Sequence, residues 1–230
     1  MTEFIISFLF CTLGYYAYYS ISESEKWKSF FINNHTTNNA GAVIFKRLTG
    51  VVILGLLPYV YFFWFSSLDF KEVGLTGREE KTMFWFLILS LIIIPLGLYN
   101  SPKDSNLKMY PMIRTSIWNF KLLLISAITW TAYLVAYEIL FRGFLLHTSL
   151  EIIGIWPAII LNTAIYSIVH FHKGKKEMLG AIPLGIVLCL LVIHTGSILI
   201  AIYSHVLMAL TNEWLSIYFH PEMKFSIFKK

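Results

Sequence analysis

Residues 136–143 read Ala-Tyr-Glu-Ile-Leu-Phe-Arg-Gly and place two charges, Glu138 and Arg142, inside a long apolar run. At helical spacing, residues four apart lie on one face, so the carboxylate and the guanidinium are within reach of each other. Ionisable groups at bilayer depth are costly unless they face the protein interior and find partners there. The stretch therefore predicts a membrane-spanning helix that carries part of a buried polar site.

The composition of the whole chain points to the same class of protein. Its 230 residues are 57% hydrophobic and 13% charged, and the mean hydropathy is +0.67. A soluble domain of this length cannot bury so much apolar surface, which excludes that class. We expect one integral membrane domain over 1–230, with N-terminal spans over 1–116 and a core over 117–219. Membrane lipid is the expected surrounding, and nucleic acid is not an expected partner.

Seven apolar segments predict an all-α bundle of about seven transmembrane helices that encloses a polar cavity. The segments are 3–21, 48–67, 83–99, 117–149, 155–171, 178–195 and 197–219. At a rise of about 1.5 Å per residue, the fourth is too long for one perpendicular crossing. It must tilt, begin on the membrane surface or break, and Gly143 is one place where it could break.

The basic residues other than Arg142 are divided unevenly between the two predicted sides of the membrane. Fourteen of the 18 Lys and Arg residues, Arg47 among them, fall in the loops after the first, third and fifth segments, at the start of the fourth segment (Lys121) and in the C-terminal tail. The other side holds Lys71, Arg78 and Lys81. The positive-inside rule then predicts a multi-pass protein of the cell membrane with its N-terminus outside and its C-terminus cytoplasmic. The polar cavity would open to the cytoplasm.

Later segments supply polar residues that could join Glu138 and Arg142. Asn162, Tyr166 and His170 share one helix face, and His205 lies about mid-depth in the last segment, with Asn212 seven residues further on near the same face. A carboxylate with two imidazoles suits the activation of water for hydrolysis, with or without a divalent metal such as zinc. A structural ion pair that only joins two helices is the alternative interpretation of the two charges.

The order and spacing of these residues resemble the CAAX-protease and bacteriocin-processing (Abi) family of intramembrane peptidases, over roughly residues 117–219. Residues 138–143, Glu-Ile-Leu-Phe-Arg-Gly, look like the second half of its Glu-Glu-x-x-x-Arg motif. Residues 166–170, Tyr-Ser-Ile-Val-His, resemble its Phe-x-x-x-His motif. The run from Gly185 to His205 is similar to the approach to its final His-x-x-x-Asn motif.

The resemblance implies a helix bundle around a cytoplasm-facing cavity and the hydrolysis of peptides, which are prenylated C-terminal peptides in eukaryotes and often leader sequences in bacteria. In that family the first Glu and the second-motif His activate water, and the last His and Asn stabilise the oxyanion. For this chain we expect a catalytic set and a set of substrate contacts. The catalytic set is Glu138, Arg142, His170, His205 and Asn212, and the substrate contacts are Tyr137, Asn162 and Tyr166.

Two positions depart from the family pattern. Tyr137 occupies the place of the first Glu, and a phenol, with a pKa of about 10, is a poor base at neutral pH. Glu138 is displaced about 100° around the helix from that place. Ala209 occupies the place of the final Asn, and Asn212 lies about 4.5 Å further along the axis. The sequence thus leaves open an active endopeptidase and a catalytically inactive homologue that acts as a membrane scaffold or peptide-binding protein. A transporter is disfavoured because the chain lacks inverted repeats.

Overall fold

The computed structural model describes residues 1–31, 39–66, 68, 71–75 and 79–226. Within these ranges the chain forms nine helices, two single helical turns at Lys71–Leu75 and Phe171–Lys173, and one pair of very short strands. The helices are α1 Thr2–Glu23, α2 Glu25–Phe31, α3 Ala40–Phe65, α4 Glu79–Asn100, α5 Asp104–Leu107, α6 Phe120–Ile153, α7 Ile155–Ile168, α8 Lys175–Thr195 and α9 Leu199–Phe219. The strands are β1 Ile117–Trp118 and β2 Lys224–Phe225. The predicted all-α bundle of membrane helices is confirmed.

All seven predicted segments are helical, but they differ in their capacity to cross a membrane. Within the described ranges, five helices are long and apolar enough: α1, α3, α6, α8 and the Lys81–Asn100 part of α4. Helix α7 is apolar but has only 14 residues, about 21 Å of helix against a hydrocarbon core of about 30 Å. Helix α9 has the length, 21 residues, but its polar residues lower its hydropathy. Of the seven predicted segments, five therefore form helices that can cross a membrane, and two, α7 and α9, do not meet both requirements.

Helix α6 continues past Gly143 without a break. Its 34 residues correspond to about 51 Å of helix, so that it tilts or extends beyond the hydrocarbon core. The residues Ile139–Leu145 are π-helical, directly after Glu138. A π-helical turn widens the helix and replaces the usual i to i−4 backbone hydrogen bonds by i to i−5 bonds. Such turns are frequent at functional sites. The backbone carbonyl of Phe141 in this stretch accepts a hydrogen bond of 2.6 Å from Asn162 Nδ2 on α7.

The second span begins earlier than the hydropathy pattern predicted. Helix α3 starts at Ala40, eight residues before the expected boundary, so Arg47 lies inside the helix and is 3% exposed. The expectation that Arg47 belongs to a cytoplasmic loop was wrong. Without Arg47, the predicted cytoplasmic side still holds more basic residues than the other side.

Contacts between the connecting segments show which helix ends lie at the same end of the bundle. Strands β1 and β2 pair in parallel, which places the start of α6 and the end of α9 at the same end. Asn39, before α3, also lies at this end, because its side chain bonds the backbone of Met112 and Arg114. At the other end, the backbone N–H of Ile198 donates to the carbonyl of Gly74 at 2.9 Å. These relations agree with the predicted order of crossings, and the absolute orientation stays a prediction.

Candidate active site

The buried carboxylate of Glu138 joins α6 to α9. Its side chain is fully buried, and Oε1 accepts hydrogen bonds from His205 Nδ1 at 2.6 Å and from Arg142 Nη1 at 3.1 Å. Arg142 Nη1 lies equally close to Oε2, at 3.1 Å, but only the contact with Oε1 has the geometry of a hydrogen bond. The structure thus brings together a carboxylate, a guanidinium and an imidazole that the sequence places on two separate helices.

Arg142 is held between this carboxylate and an aromatic ring. Its guanidinium carbon lies 4.2 Å from the centroid of the Tyr166 ring, a cation–π contact in a desolvated setting. The side chain is 1% exposed, and its Nε and Nη2 groups have no hydrogen-bond partner among the described residues. Arg142 therefore neutralises Glu138 and still presents unused N–H donors to the interior.

His170 lies at the end of α7 and packs on the same aromatic ring. Its Nδ1 is 2.7 Å from the backbone oxygen of Tyr166, and the two rings are 4.7 Å apart between centroids. Because a carbonyl only accepts, the neutral imidazole carries its proton on Nδ1, and Nε2 is its basic nitrogen. The ring of His205 lies 6.3 Å from the Tyr166 ring, so the centroids of the two imidazoles are at most about 11 Å apart.

The same argument assigns the tautomer of His205. A carboxylate bound to Nδ1 fixes the proton there and leaves Nε2 as the basic nitrogen. This is the arrangement of a base held in position by an orienting carboxylate, which also stabilises the imidazolium when the base takes up a proton. The side chain of His205 is 11% exposed and His170 is 9% exposed, so these histidines are the most accessible members of the cluster.

Tyr137 lies within the cluster as an aromatic wall. Its ring stacks on Phe141 at 4.3 Å and meets His205 edge-on at 5.9 Å. The residue is 3% exposed, and its hydroxyl has no hydrogen-bond partner in the part of the chain that the structure describes. A buried hydroxyl without a partner costs free energy. Tyr137 is therefore an unused O–H donor at the position where the resemblance expects a carboxylate.

Two of the predicted site residues lie in other contacts. Asn162 uses its amide on the carbonyl of Phe141 and accepts a hydrogen bond of 3.4 Å from the Cys189 thiol, so it supports the π-helical stretch. Asn212 accepts a hydrogen bond of 3.2 Å from Ser101 and lies about 10.5 Å along α9 from His205. The structure does not bring Asn212 to the Glu138–His205 contact, and the expectation that it serves the oxyanion lacks support from its position.

A second buried ion pair was missed at the sequence level. Glu213 is fully buried and lies 3.3 Å from Arg47. The helices that carry the candidate site therefore hold a second buried carboxylate besides Glu138. The available signal was the apolar run 40–45, Ala-Gly-Ala-Val-Ile-Phe, directly before Lys46 and Arg47, which extends the second span towards its N-terminus.

The polar cluster is closed over in this conformation. Glu138, Arg142, Tyr137 and Tyr166 are between 0% and 3% exposed. A cavity of about 220 Å³ lies away from the cluster, between the start of α1 and residues Thr148, Glu151 and Ile152 of α6. The opening of the predicted cavity towards the cytoplasm stays a prediction. Water would reach the cluster past the two histidines.

The donor set at the cluster is small for a metal ion. Within the described ranges, no three His, Cys, Asp or Glu side chains come together as a metal site. Glu138 and His205 supply two ligands in contact with each other, whereas a catalytic zinc ion is usually held by three protein ligands. The participation of a metal ion stays a prediction.

Comparison with known proteins locates the resemblance in one part of the chain. Residues 116–211 match the family model for type II CAAX prenyl endopeptidases described as Rce1-like. No curated protein and no solved structure gives a significant match. The matched segment includes Glu138, Arg142, His170 and His205 and ends before Asn212. Residues 116–211, from the start of the core helices to the middle of α9, are therefore similar to the Rce1-like family of CAAX-type endopeptidases, and this similarity covers less than half of the chain.

Proposed function

We propose that this protein is an intramembrane endopeptidase that hydrolyses a peptide bond with water activated at the cluster of Glu138, His205 and His170. The observation that carries the proposal is the 2.6 Å contact between His205 Nδ1 and the fully buried carboxylate of Glu138, inside the family-matched segment. Side chains in this arrangement perform general acid–base catalysis, which typically contributes 10²–10⁴-fold to a rate.

In this mechanism Glu138 acts through His205. Both of its close donors already use Oε1, so the carboxylate orients the imidazole and stabilises its protonated form. His205 Nε2 takes a proton from water while the water oxygen bonds to the peptide carbonyl carbon. When the C–N bond of the tetrahedral intermediate breaks, the leaving amine takes up a proton from a protonated histidine. In this mechanism Glu138 therefore has a positioning role, and His205 is the base.

The developing oxyanion needs donors in place of the amide that Ala209 lacks. Arg142 Nε, Arg142 Nη2 and the Tyr137 hydroxyl are buried donors without hydrogen-bond partners among the described residues. Preorganised donors in a site that excludes water are the usual means of stabilising such an oxyanion. These groups support the proposal because they offer the chemistry that the missing asparagine would otherwise supply.

The proposed substrate is a peptide that enters from the lipid or from the cytoplasmic surface, with an apolar or prenylated flank. The family that matches is named for prenyl endopeptidases. The walls of the cluster, formed by Tyr137, Phe141 and Tyr166, are aromatic and buried. An apolar flank would remain in a compatible environment while the scissile bond reaches His205.

The experiment is cleavage of a fluorogenic farnesylated peptide by the purified protein in lipid nanodiscs. His205→Ala and His170→Ala should each lower kcat by about 10²–10⁴-fold, and Glu138→Gln should lower it because the imidazole loses its carboxylate. Asn212→Ala is the matched control, since this polar residue lies on α9 but bonds Ser101, and it should retain the wild-type rate. Cleavage that survives His205→Ala and Glu138→Gln unchanged would exclude the proposed mechanism.

A second candidate is a homologue without catalysis that acts as a membrane scaffold or peptide-binding protein. It is favoured by one specific observation: the family's carboxylate position holds Tyr137, whose hydroxyl is buried in an aromatic setting. Tyr137→Glu restores the family pattern and separates the two functions. If cleavage begins only in Tyr137→Glu, the native chain is not a peptidase. If the native chain cleaves the peptide, a protein that acts only as a scaffold is excluded.

A further inference from the structure

A buried cluster of charged and polar groups joins α3 to α6 and α9, the two helices that carry Glu138 and His205, towards the end of the bundle that holds β1 and β2. We call it the Arg47 cluster: Arg47 on α3, Ser126 on α6 and Glu213 on α9. Arg47 Nη1 donates to Ser126 Oγ at 2.8 Å and to the Ser126 carbonyl at 3.0 Å, and Arg47 Nη2 lies 3.3 Å from Glu213 Oε1. Ser126 Oγ is 3.1 Å and 3.0 Å from the two carboxylate oxygens of Glu213. The three residues are between 0% and 3% exposed.

The Arg47 cluster and the active-site contact are two polar connections between α6 and α9. These helices run in opposite directions, because α6 begins and α9 ends at the paired strands. Glu213 reaches α6 at Ser126, and His205 reaches α6 at Glu138. On α9 the two contacts are eight residues apart, about 12 Å along the axis. Both charged residues of the Arg47 cluster lie outside the family-matched segment 116–211.

Between the two connections, α6 and α9 also meet through apolar side chains. Trp130, Leu134 and Ala209 pack together there, and the attraction between such side chains is non-directional. A buried ion pair adds little stability compared with an apolar pair of similar size, but it penalises every arrangement that separates its charges. In a membrane this penalty is larger, because an unpaired charge finds no water.

We propose that the Arg47 cluster sets the axial register of α9 against α6 and thereby holds His205 Nδ1 on Glu138. Its members are positioning residues: they touch neither Glu138 nor His205 and act through the two helices. Arg47 also packs its guanidinium on Trp130 at 4.5 Å, which ties α3 to the same pair of helices. The inference does not depend on peptidase activity, since it concerns a contact present in the protein without substrate.

The test observes the His205 Nδ1 proton by NMR in nanodiscs, where a short bond to a carboxylate gives a resonance at low field, assigned by its loss in His205→Gln. In the double variant Arg47→Met/Glu213→Leu both charges are gone, and the protein should stay folded. We expect the low-field resonance to be lost or broadened in this variant. The control is Glu23→Gln, which removes a partly exposed carboxylate that pairs with Lys28 and Lys46 outside the cluster and should keep the resonance.

A sharp resonance at the wild-type position in the double variant would overturn the proposal, because the cluster would then contribute stability alone. Loss of the resonance in Glu23→Gln would overturn it as well, since the effect would not be specific. If the double variant does not fold, Ser126→Ala replaces it, because this change cuts the direct bond between Glu213 and α6. An unchanged resonance in folded Ser126→Ala would overturn the proposal. No substrate is needed, so this result is independent of the peptide-cleavage experiment.

Discussion

Replacing Glu138 by alanine should lower the free energy of unfolding by about 3–5 kcal/mol, the usual cost of removing one partner from a buried ion pair. The structural reason is the burial of what remains. Arg142 is 1% exposed and already has two N–H groups without a partner among the described residues. Without Glu138 the guanidinium of Arg142 loses the carboxylate that pairs with it, and His205 loses the acceptor of its 2.6 Å hydrogen bond.

Three further variants give the expected order of effects. Glu138→Gln keeps an acceptor oxygen and loses the charge, so its cost should be about 1.5–3 kcal/mol, the contribution of a hydrogen bond to a charged group. The double variant Glu138→Leu/Arg142→Met removes both charges and should recover most of the loss. Glu151→Gln is the control: this carboxylate is 59% exposed and lies 3.4 Å from His147, and its removal should cost less than about 1 kcal/mol.

The assay is reversible unfolding in mixed micelles, with SDS as denaturant and near-UV circular dichroism as the readout of tertiary packing. Each 1.4 kcal/mol changes the folding equilibrium tenfold, so the predicted differences are well resolved. The reasoning is refuted if Glu138→Ala costs no more than Glu151→Gln. It is also refuted if the double variant is as unstable as Glu138→Ala, because the two charges would then not be coupled.

Two predictions concern topology and packing. In intact cells an impermeant maleimide should label Glu151→Cys and not Lys175→Cys, because the distribution of basic residues predicts a cytoplasmic position for residue 175. Both positions are exposed, and both native cysteines are buried. Labelling of Lys175→Cys and not of Glu151→Cys would show the opposite orientation. Gly55→Ala should lower the Tm, because an added Cβ would lie 2.6 Å from the Cβ of Ala136 and such overpacking costs about 1–3 kcal/mol. Gly180→Ala is its control, with nothing within 4 Å of the added Cβ, and an equal loss of Tm in both variants would contradict the close approach of α3 to α6.

Much of the bundle could be predicted from the sequence because its determinants are local. The apolar runs predict helices, since a backbone in lipid must satisfy its hydrogen bonds within the segment. The pairing of Glu138 with Arg142 follows from a spacing of four residues on one helix and is present in the structure. The motif resemblance over the core segments was likewise readable from residue order and is confirmed by the family match over 116–211.

The start of α3 and the position of Asn212 could not be predicted from local patterns. Arg47 follows a short apolar run beside Lys46, and charge alone assigned it to a loop, although the helix already begins at Ala40. Asn212 was expected near His205 because it is close in helical phase. The rotation of α9 is decided by its packing on its neighbours, and this packing directs Asn212 to Ser101.

The sequence by itself determined that this is a membrane protein of many helices, that Glu138 and Arg142 share a helix face, and that its core resembles a family of intramembrane peptidases. Only the tertiary structure decided which polar groups meet across helices. His205 and Glu138 are 67 residues apart in the chain, and Arg47 and Glu213 are 166 apart. Such contacts depend on the tilt, rotation and axial position of whole helices, and these are set by packing over the entire bundle rather than by any local pattern.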